Sequence, residues 1–329
     1  MTQNESKESV SVNGNTHEKY EALIARCKDL EPVTIAVAHP CDHTSLKGAI
    51  DAANAGLIHP FLVGPADKIR QVAAEASIDL GPYEIVDTPH SHAAAARAVE
   101  LIREGTCELL MKGSLHTDEL MSEVVSRDKG LRTERRISHV FIMDVPTYPK
   151  PLFITDAAVN IAPDLETKRD ICQNAIDLAH VLGVKQPKVA ILSAVETINP
   201  KIPSTIEAAA LCKMADRGQI KGALLDGPLA FDNAINKEAA ETKGINSPVA
   251  GDADILIVPD LVSGNILAKQ LTFLASADAA GIVLGARVPI ILTSRADNVR
   301  TRLASCAVAA LMAAARRSGT KETAGKPTV

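Results

Sequence analysis

Short apolar runs rich in Val and Ile alternate with segments of helical period along almost the whole chain. This alternation limits the possible folds more than any other feature. The first series of runs is VTIAVAHP (33–40), HPFLVGP (59–65), YEIVDTP (83–89) and CELLMKGS (107–114), and between them lie SLKGAIDAANAG, ADKIRQVAAEAS and SHAAAARAVELIREG. Strands alternating with helices at this spacing build βαβ units and a mostly parallel sheet. A second series follows DVPTYPKP (144–151), whose three prolines predict a crossing between domains. Its strands read LFITDAAV, KVAILSAV, GALLDGPLA, ADILIVPD and GIVLGA, and its helices LETKRDICQNAIDLAHVLG, STIEAAALCKMADRG and SGNILAKQLTFLASAD. NVRTRLASCAVAALMAAARR reads as a long closing helix whose Leu303, Val308 and Leu311 need cover, and it is expected to pack on the first domain. The expected fold is α/β, with two α/β domains whose mostly parallel sheets face a cleft. Residues 1–17 would be a disordered polar tail, 18–146 plus 297–329 the first domain, and 147–296 the second.

A chain of 329 residues is long for one core, which agrees with two domains. The formal net charge of -5 offers no basic field to a polyanion, and with aromatics at 2% and no Trp the stacking platforms for single-stranded nucleic acid are missing. Nucleic-acid binding is therefore not expected. Cys27, Cys41, Cys107, Cys172, Cys212 and Cys306 are scattered without a CxxC pair, as expected of reduced, buried thiols in a cytoplasmic protein. No uninterrupted apolar stretch is long enough to span a bilayer, and the polar N-terminus lacks the apolar region of a signal peptide, so no membrane association is expected.

In open parallel sheets, ligands collect outside the carboxyl ends of strands. The residues that follow the apolar runs are polar here. LLMKGSLHTDEL supplies Lys112, Gly113, Ser114, His116 and Thr117; ALLDGPLAFDNA supplies Asp226, Gly227 and Pro228, then Asp232 and Asn233. LIVPDLVSGNILAK supplies Asp260, Ser263, Gly264, Asn265 and Lys269, and IILTSRADN supplies Ser294, Arg295 and Asp297. Each has a structural alternative. Ser294 with Asp297 is close to a capping box for the final helix, Ser114 or Thr117 suits an N-cap, and Asp226-Gly227-Pro228 is ordinary turn chemistry. Capping and function are compatible, because the N–H groups of a helix N-terminus make a phosphate site and an adjacent Arg adds a planar fork.

Other motifs are missing. No GxGxxG follows the first strand and no GxxxxGK[ST] occurs, so dinucleotide and P-loop readings are disfavoured. His39-Pro40-Cys41-Asp42-His43 has metal-ligand residue types, yet it runs straight into a helix that Asp42 or Thr44 would cap. A zinc site needs four convergent ligands, so no metal site is expected.

The ordered series KGSLHTDELM, HVFIMDVP, LFITDAAVNIAPD, VAILSAVE, DGPLAFDNAI, PVAGDADILIVPDLVSGNILAK and TSRAD resembles the phosphate acetyltransferase and phosphate butyryltransferase family, from about Val33 to the end of the final helix. The resemblance implies an acyltransferase that moves an acyl group reversibly between coenzyme A and inorganic phosphate. No metal or tightly bound cofactor is implied, since coenzyme A and acyl-CoA are substrates. It further implies an architecture like the isocitrate and isopropylmalate dehydrogenases and a homodimer. Acetyl-CoA with acetyl phosphate is the expected pair; longer acyl-CoA, as in butyryltransferases, is the alternative. A decarboxylating dehydrogenase-like enzyme and a non-catalytic CoA- or phosphate-binding protein are remoter alternatives. A chain of this length has no room for a fused enoyl-CoA hydratase.

The resemblance also implies roles. Ser294 and Arg295 match the family's Ser-Arg pair, and Asp297 matches the nearby aspartate taken as the base, in a shorter spacing closer to butyryltransferase-like members. The stretch Ser114 to Thr117 matches a loop facing the acyl phosphate. Lys112, Asp226, Gly227, Pro228, Ser263, Gly264 and Asn265 complete the expected substrate-binding set. The chemistry explains why a buried strand would end in a hydroxyl, a guanidinium and a carboxylate. A free thiol has a pKa near ~8.5, so a carboxylate must take its proton as sulfur attacks the acyl carbon. Fixed donors then stabilise the charge that builds on the carbonyl oxygen and on the leaving phosphate.

Overall fold

The computed structural model describes residues 18–292 and 297–324. After α1 (Glu18–Ala25), the chain alternates through β1 (Val33–Ala38), α2 (His43–Asn54), β2 (Ile58–Gly64), α3 (Ala66–Glu75), β3 (Ile85–Asp87), α4 (Ser91–Arg103), β4 (Leu109–Lys112) and α5 (Thr117–Val124). Two strands follow directly, β5 (Ser138–Asp144) and β6 (Leu152–Thr155), and then α6 (Leu165–Val181), β7 (Lys188–Leu192), α7 (Pro203–Asp216) and β8 (Leu224–Leu229). The chain finishes with α8 (Phe231–Ile235), α9 (Lys237–Thr242), β9 (Ile255–Ile257), α10 (Leu261–Leu274), β10 (Asp278–Leu284), β11 (Ile290–Ile291) and α11 (Val299–Ala324).

Among the described residues, eleven strands form one sheet in the order β3-β2-β1-β4-β11-β10-β5-β6-β9-β7-β8. The predicted domain crossing at 144–151 joins β5 to β6, antiparallel neighbours at the middle of that sheet. Proline suits this place because the connection need not donate to the ladder. β10 and β11, which the expected division placed in the second unit, pair with β5 and β4 of the first.

The pairing also fixes strand direction. β1, β2, β3, β4 and β11 run parallel, whereas β10 to β11, β10 to β5 and β5 to β6 are antiparallel pairs. Three reversals in succession leave β6, β9, β7 and β8 parallel to one another and opposite to the first block. The carboxyl ends of the two blocks therefore lie on opposite edges of the sheet.

Helices cover both faces, so the strands are apolar on both sides. In β1, Ile35 and Val37 enter one core while Ala36 and Ala38 enter another. On the first face a single core runs the width of the sheet, from Leu46 of α2 through Val308 of α11 to Leu211 of α7. The expected cover for α11 is present: Val308 and Leu311 are buried, and Leu303 packs at the margin of that core. On the second face the core is split in two. One cluster holds Leu110, Val283, Ile290 and α4; the other holds Met143, Ile154, Leu256 and Ala279. The two units are thus separate on one side of the sheet and fused on the other.

Candidate active site

A cavity of about 730 Å³ opens at this split. Its floor is one face of the sheet. Val283 pairs with both His139 and Ile290, and Ile290 pairs with Leu110, so these four share a face. Two residues along each strand the same face presents Phe141, Leu292 and Lys112, which line the cavity with His139. The walls are α10, through Asn265, Lys269 and Thr272, and the approach to α11, through Asp297, Asn298 and Thr301.

The predicted residues divide into those that meet here and those that do not. Lys112, Thr117, Asn265 and Asp297 line the cavity. Lys112 Nζ donates to the carbonyls of Gly113 and Leu115, each at 3.1 Å, which bends the β4–α5 connection around the ammonium. Asn265 Nδ2 donates to Ala157 O at 3.2 Å and so ties α10 to the turn after β6. Ser294 and Arg295 lie outside the described residues.

Ser114 joins the ends of β1 and β4: its hydroxyl donates to His39 O at 2.8 Å, and His39 Nδ1 lies 3.0 Å from Ser114 Oγ. His116, and neither Ser114 nor Thr117, occupies the N-cap position of α5; it is exposed and makes no side-chain cap bond. Asp42 caps α2 by accepting from Ser45 N at 2.7 Å. Asp226, Gly227 and Pro228 lie within β8 at the sheet edge, where a proline is tolerated, and are not among the residues lining the cavity. Asp226 accepts from Gly227 N at 2.9 Å. Ser263 completes a capping box with Asp260, and a β-carbon on Gly264 would stand 2.7 Å from Val258 Cγ2, so this glycine lets α10 approach the sheet. β8 is the edge strand of the sheet, whereas β6 and β9 lie nearer its middle, and the turn after β6 and the start of α10 bring Ala158 and Asn265 to the cavity.

Asn298 caps α11, its Oδ1 accepting from Thr301 N at 2.8 Å. One residue earlier, the half-buried Asp297 faces the cavity with Lys112, Lys269 and Asp278 also on the lining.

The sequence reading missed His139. It is 1% exposed, its ring packs edge-on against Phe141 with centroids 4.4 Å apart, and it fills the space over Gly281. Burial lowers its pKa to about 4, against a smaller raising effect from Asp156, so the imidazole is neutral at pH 7. A polar residue at the start of the apolar run Val140–Met143 was the available signal.

A family model described as phosphate acetyl/butaryl transferase matches residues 88–310. A phosphate acetyltransferase from Rhizobium meliloti is 72% identical over 300 residues, covering 91% of this chain and 95% of its own. A phosphate butyryltransferase from Clostridium acetobutylicum is 42% identical over 294 residues, covering 89% and 98%. Among solved structures, a branched-chain phosphotransacylase from Enterococcus faecalis V583 aligns with a TM-score of 0.75 and 32% identity, covering 85% of this chain and 99% of that one. A 4-hydroxythreonine-4-phosphate dehydrogenase from Burkholderia phymatum, at 13% identity and a TM-score of 0.50 over 85% and 98%, shares the fold alone.

Proposed function

The chain belongs to the phosphate acetyl/butaryl transferase family, and on that premise we propose that it transfers acetyl between coenzyme A and inorganic phosphate, with acetyl-CoA and acetyl phosphate as the acyl carriers. The observation that carries the chemistry is Asp297: a carboxylate on the cavity wall, directly before Asn298, which accepts from the Thr301 N–H at the start of α11. In the direction of acetyl-CoA synthesis, Asp297 takes the thiol proton as sulfur bonds to the acyl carbon. The acyl–oxygen bond then breaks and phosphate departs with the bonding pair. Ser294 and Arg295, three and two residues before Asp297, serve the phosphate, and Lys112 adds a fixed positive charge on the cavity floor. Thr117 and Asn265 line the path for substrate.

Acetyl is favoured over butyryl by the higher identity to the acetyltransferase. The test is thiol release from acyl-CoA on adding phosphate, run across acyl chain lengths. Acetyl-CoA is expected to have the highest kcat/KM; a maximum at butyryl-CoA would assign the longer substrate, and no release from any acyl-CoA would reject the reading.

The same proposal includes a cytoplasmic homodimer with no tightly bound cofactor. Val262, Ile266 and Phe273 form an exposed apolar stripe along α10, with Leu274 beside it, and a second copy would cover it. Among the described residues no helix is long and apolar enough to cross a membrane. The residues that act together fall into a first unit ending near 146 and resuming at β10, and a second unit between them.

A further inference from the structure

His139 lines the cavity floor, yet the mechanism above does not use it. It is the one strongly polar side chain of β5 on the cavity floor, with apolar Phe141, Ala158, Ala279 and Leu292 around the same space. Its Nδ1 is buried and has no hydrogen-bond partner among the described residues. Nε2 stands over Gly281, 2.9 Å from where a β-carbon would be, so only glycine there leaves room for the ring. A buried polar atom without a partner is costly, on the order of 1–3 kcal/mol, and such a group is expected to find its partner in a ligand.

We propose that His139 hydrogen-bonds the acyl carbonyl oxygen of the substrate and stabilises the negative charge that builds on that oxygen during transfer. This rests on the acetyltransferase reading. The carbonyl suits the site better than phosphate does. A dianion beside the ring would favour imidazolium, whereas burial holds the ring neutral. A neutral imidazole with its proton facing the oxygen is a donor that binds no charge in the ground state and gains strength as the oxyanion forms. Phe141, Ala158, Ala279 and Leu292 on the same lining offer apolar cover for a methyl group next to that carbonyl.

The experiment has two readouts. In steady state, His139→Leu is expected to lower kcat by roughly 10²–10³-fold, the usual loss for one oxyanion donor, with KM for acetyl-CoA changed only a few-fold. His139→Gln keeps an uncharged donor and should recover part of the loss. Independently of turnover, the infrared carbonyl band of [1-¹³C]acetyl-CoA bound without phosphate should move to lower wavenumber on the parent protein and return toward its solution position on His139→Leu. If His139→Leu does not fold by circular dichroism, the band on His139→Gln must differ from the parent's. A folded His139→Leu with kcat within threefold of parent, or a band position independent of residue 139, overturns the proposal. Failure of the acetyltransferase reading looks different: the parent itself releases no thiol and binds no acetyl-CoA, which sinks both.

Discussion

Two helix starts near the cavity carry almost the same chemistry and use it differently. At α10, Asp260 Oδ1 accepts from Ser263 N at 2.8 Å and the Ser263 side chain answers the Asp260 N–H, so the carboxylate is consumed in holding the helix end. At α11 the acidic residue stands one position earlier. Asn298 binds Thr301 N, and Asp297 projects onto the cavity wall. A helix leaves orphan N–H groups that a single side chain can satisfy. Which residue stands at that position decides which side chain holds the helix end and which lines the cavity. One residue of offset separates the two outcomes.

Substitutions at the four positions can break or sharpen this contrast. The largest effect is expected from Asp297→Asn, which keeps shape but cannot accept a proton. Its kcat should fall by roughly 10²–10⁴-fold while Tm stays within error of the parent. Near-parental turnover would remove Asp297 as the base and make the two helix starts equivalent. Asp260→Ala should do the reverse, costing about 1–2 kcal/mol of stability in urea unfolding because both bonds of the capping box go, with kcat close to parent. Asn298→Ala should cost about 1 kcal/mol, and Asn298→Asp should restore most of it. If Asn298→Ala leaves Tm unmoved, the cap lies elsewhere and Asp297 regains its structural alternative. Ser263→Ala is the smallest, under about 1 kcal/mol, with KM for both substrates unchanged. A several-fold rise in KM there would return Ser263 to the substrate-binding set.

Much of this was legible in the chain, and the remainder was hidden for definite reasons. Alternation exposed β1 to β4 and their helices because each unit is local, and the buried runs on both faces left an unambiguous apolar signal. Strand direction was not legible. Ser138–Asp144 and Leu152–Thr155 read as two apolar runs whether they pair as neighbours or sit in separate sheets, and only their antiparallel pairing turns the second block around. Nor could the sequence show that Lys112 and Asp297 line one cavity while Asp226, Gly227, Pro228 and Ser263 are not among its lining residues. The Asn298 cap was not legible either. Ser294 and Asp297 are three apart, the separation of a capping box, while Asn298 gave no signal beyond its residue type. His139 was missed because a lone histidine beside Ser138 at the head of a strand looks like the end of a turn.

The placing of β10 and β11 between β4 and β5 has a consequence for biosynthesis. When a ribosome has released only the chain before residue 278, two partial sheets can form, β3-β2-β1-β4 and β5-β6-β9-β7-β8, and each presents a bare inner edge. Such edges are templates for pairing with another chain. Both are closed only by a segment made late, so the molecule depends on contacts of high sequence separation, which form slowly and leave intermediates open to aggregation. The two strands that complete the seam also begin and end at the cavity wall, through Asp278 and Leu292. The nascent chain therefore acquires its reaction cavity and its protection from misassembly in the same late step.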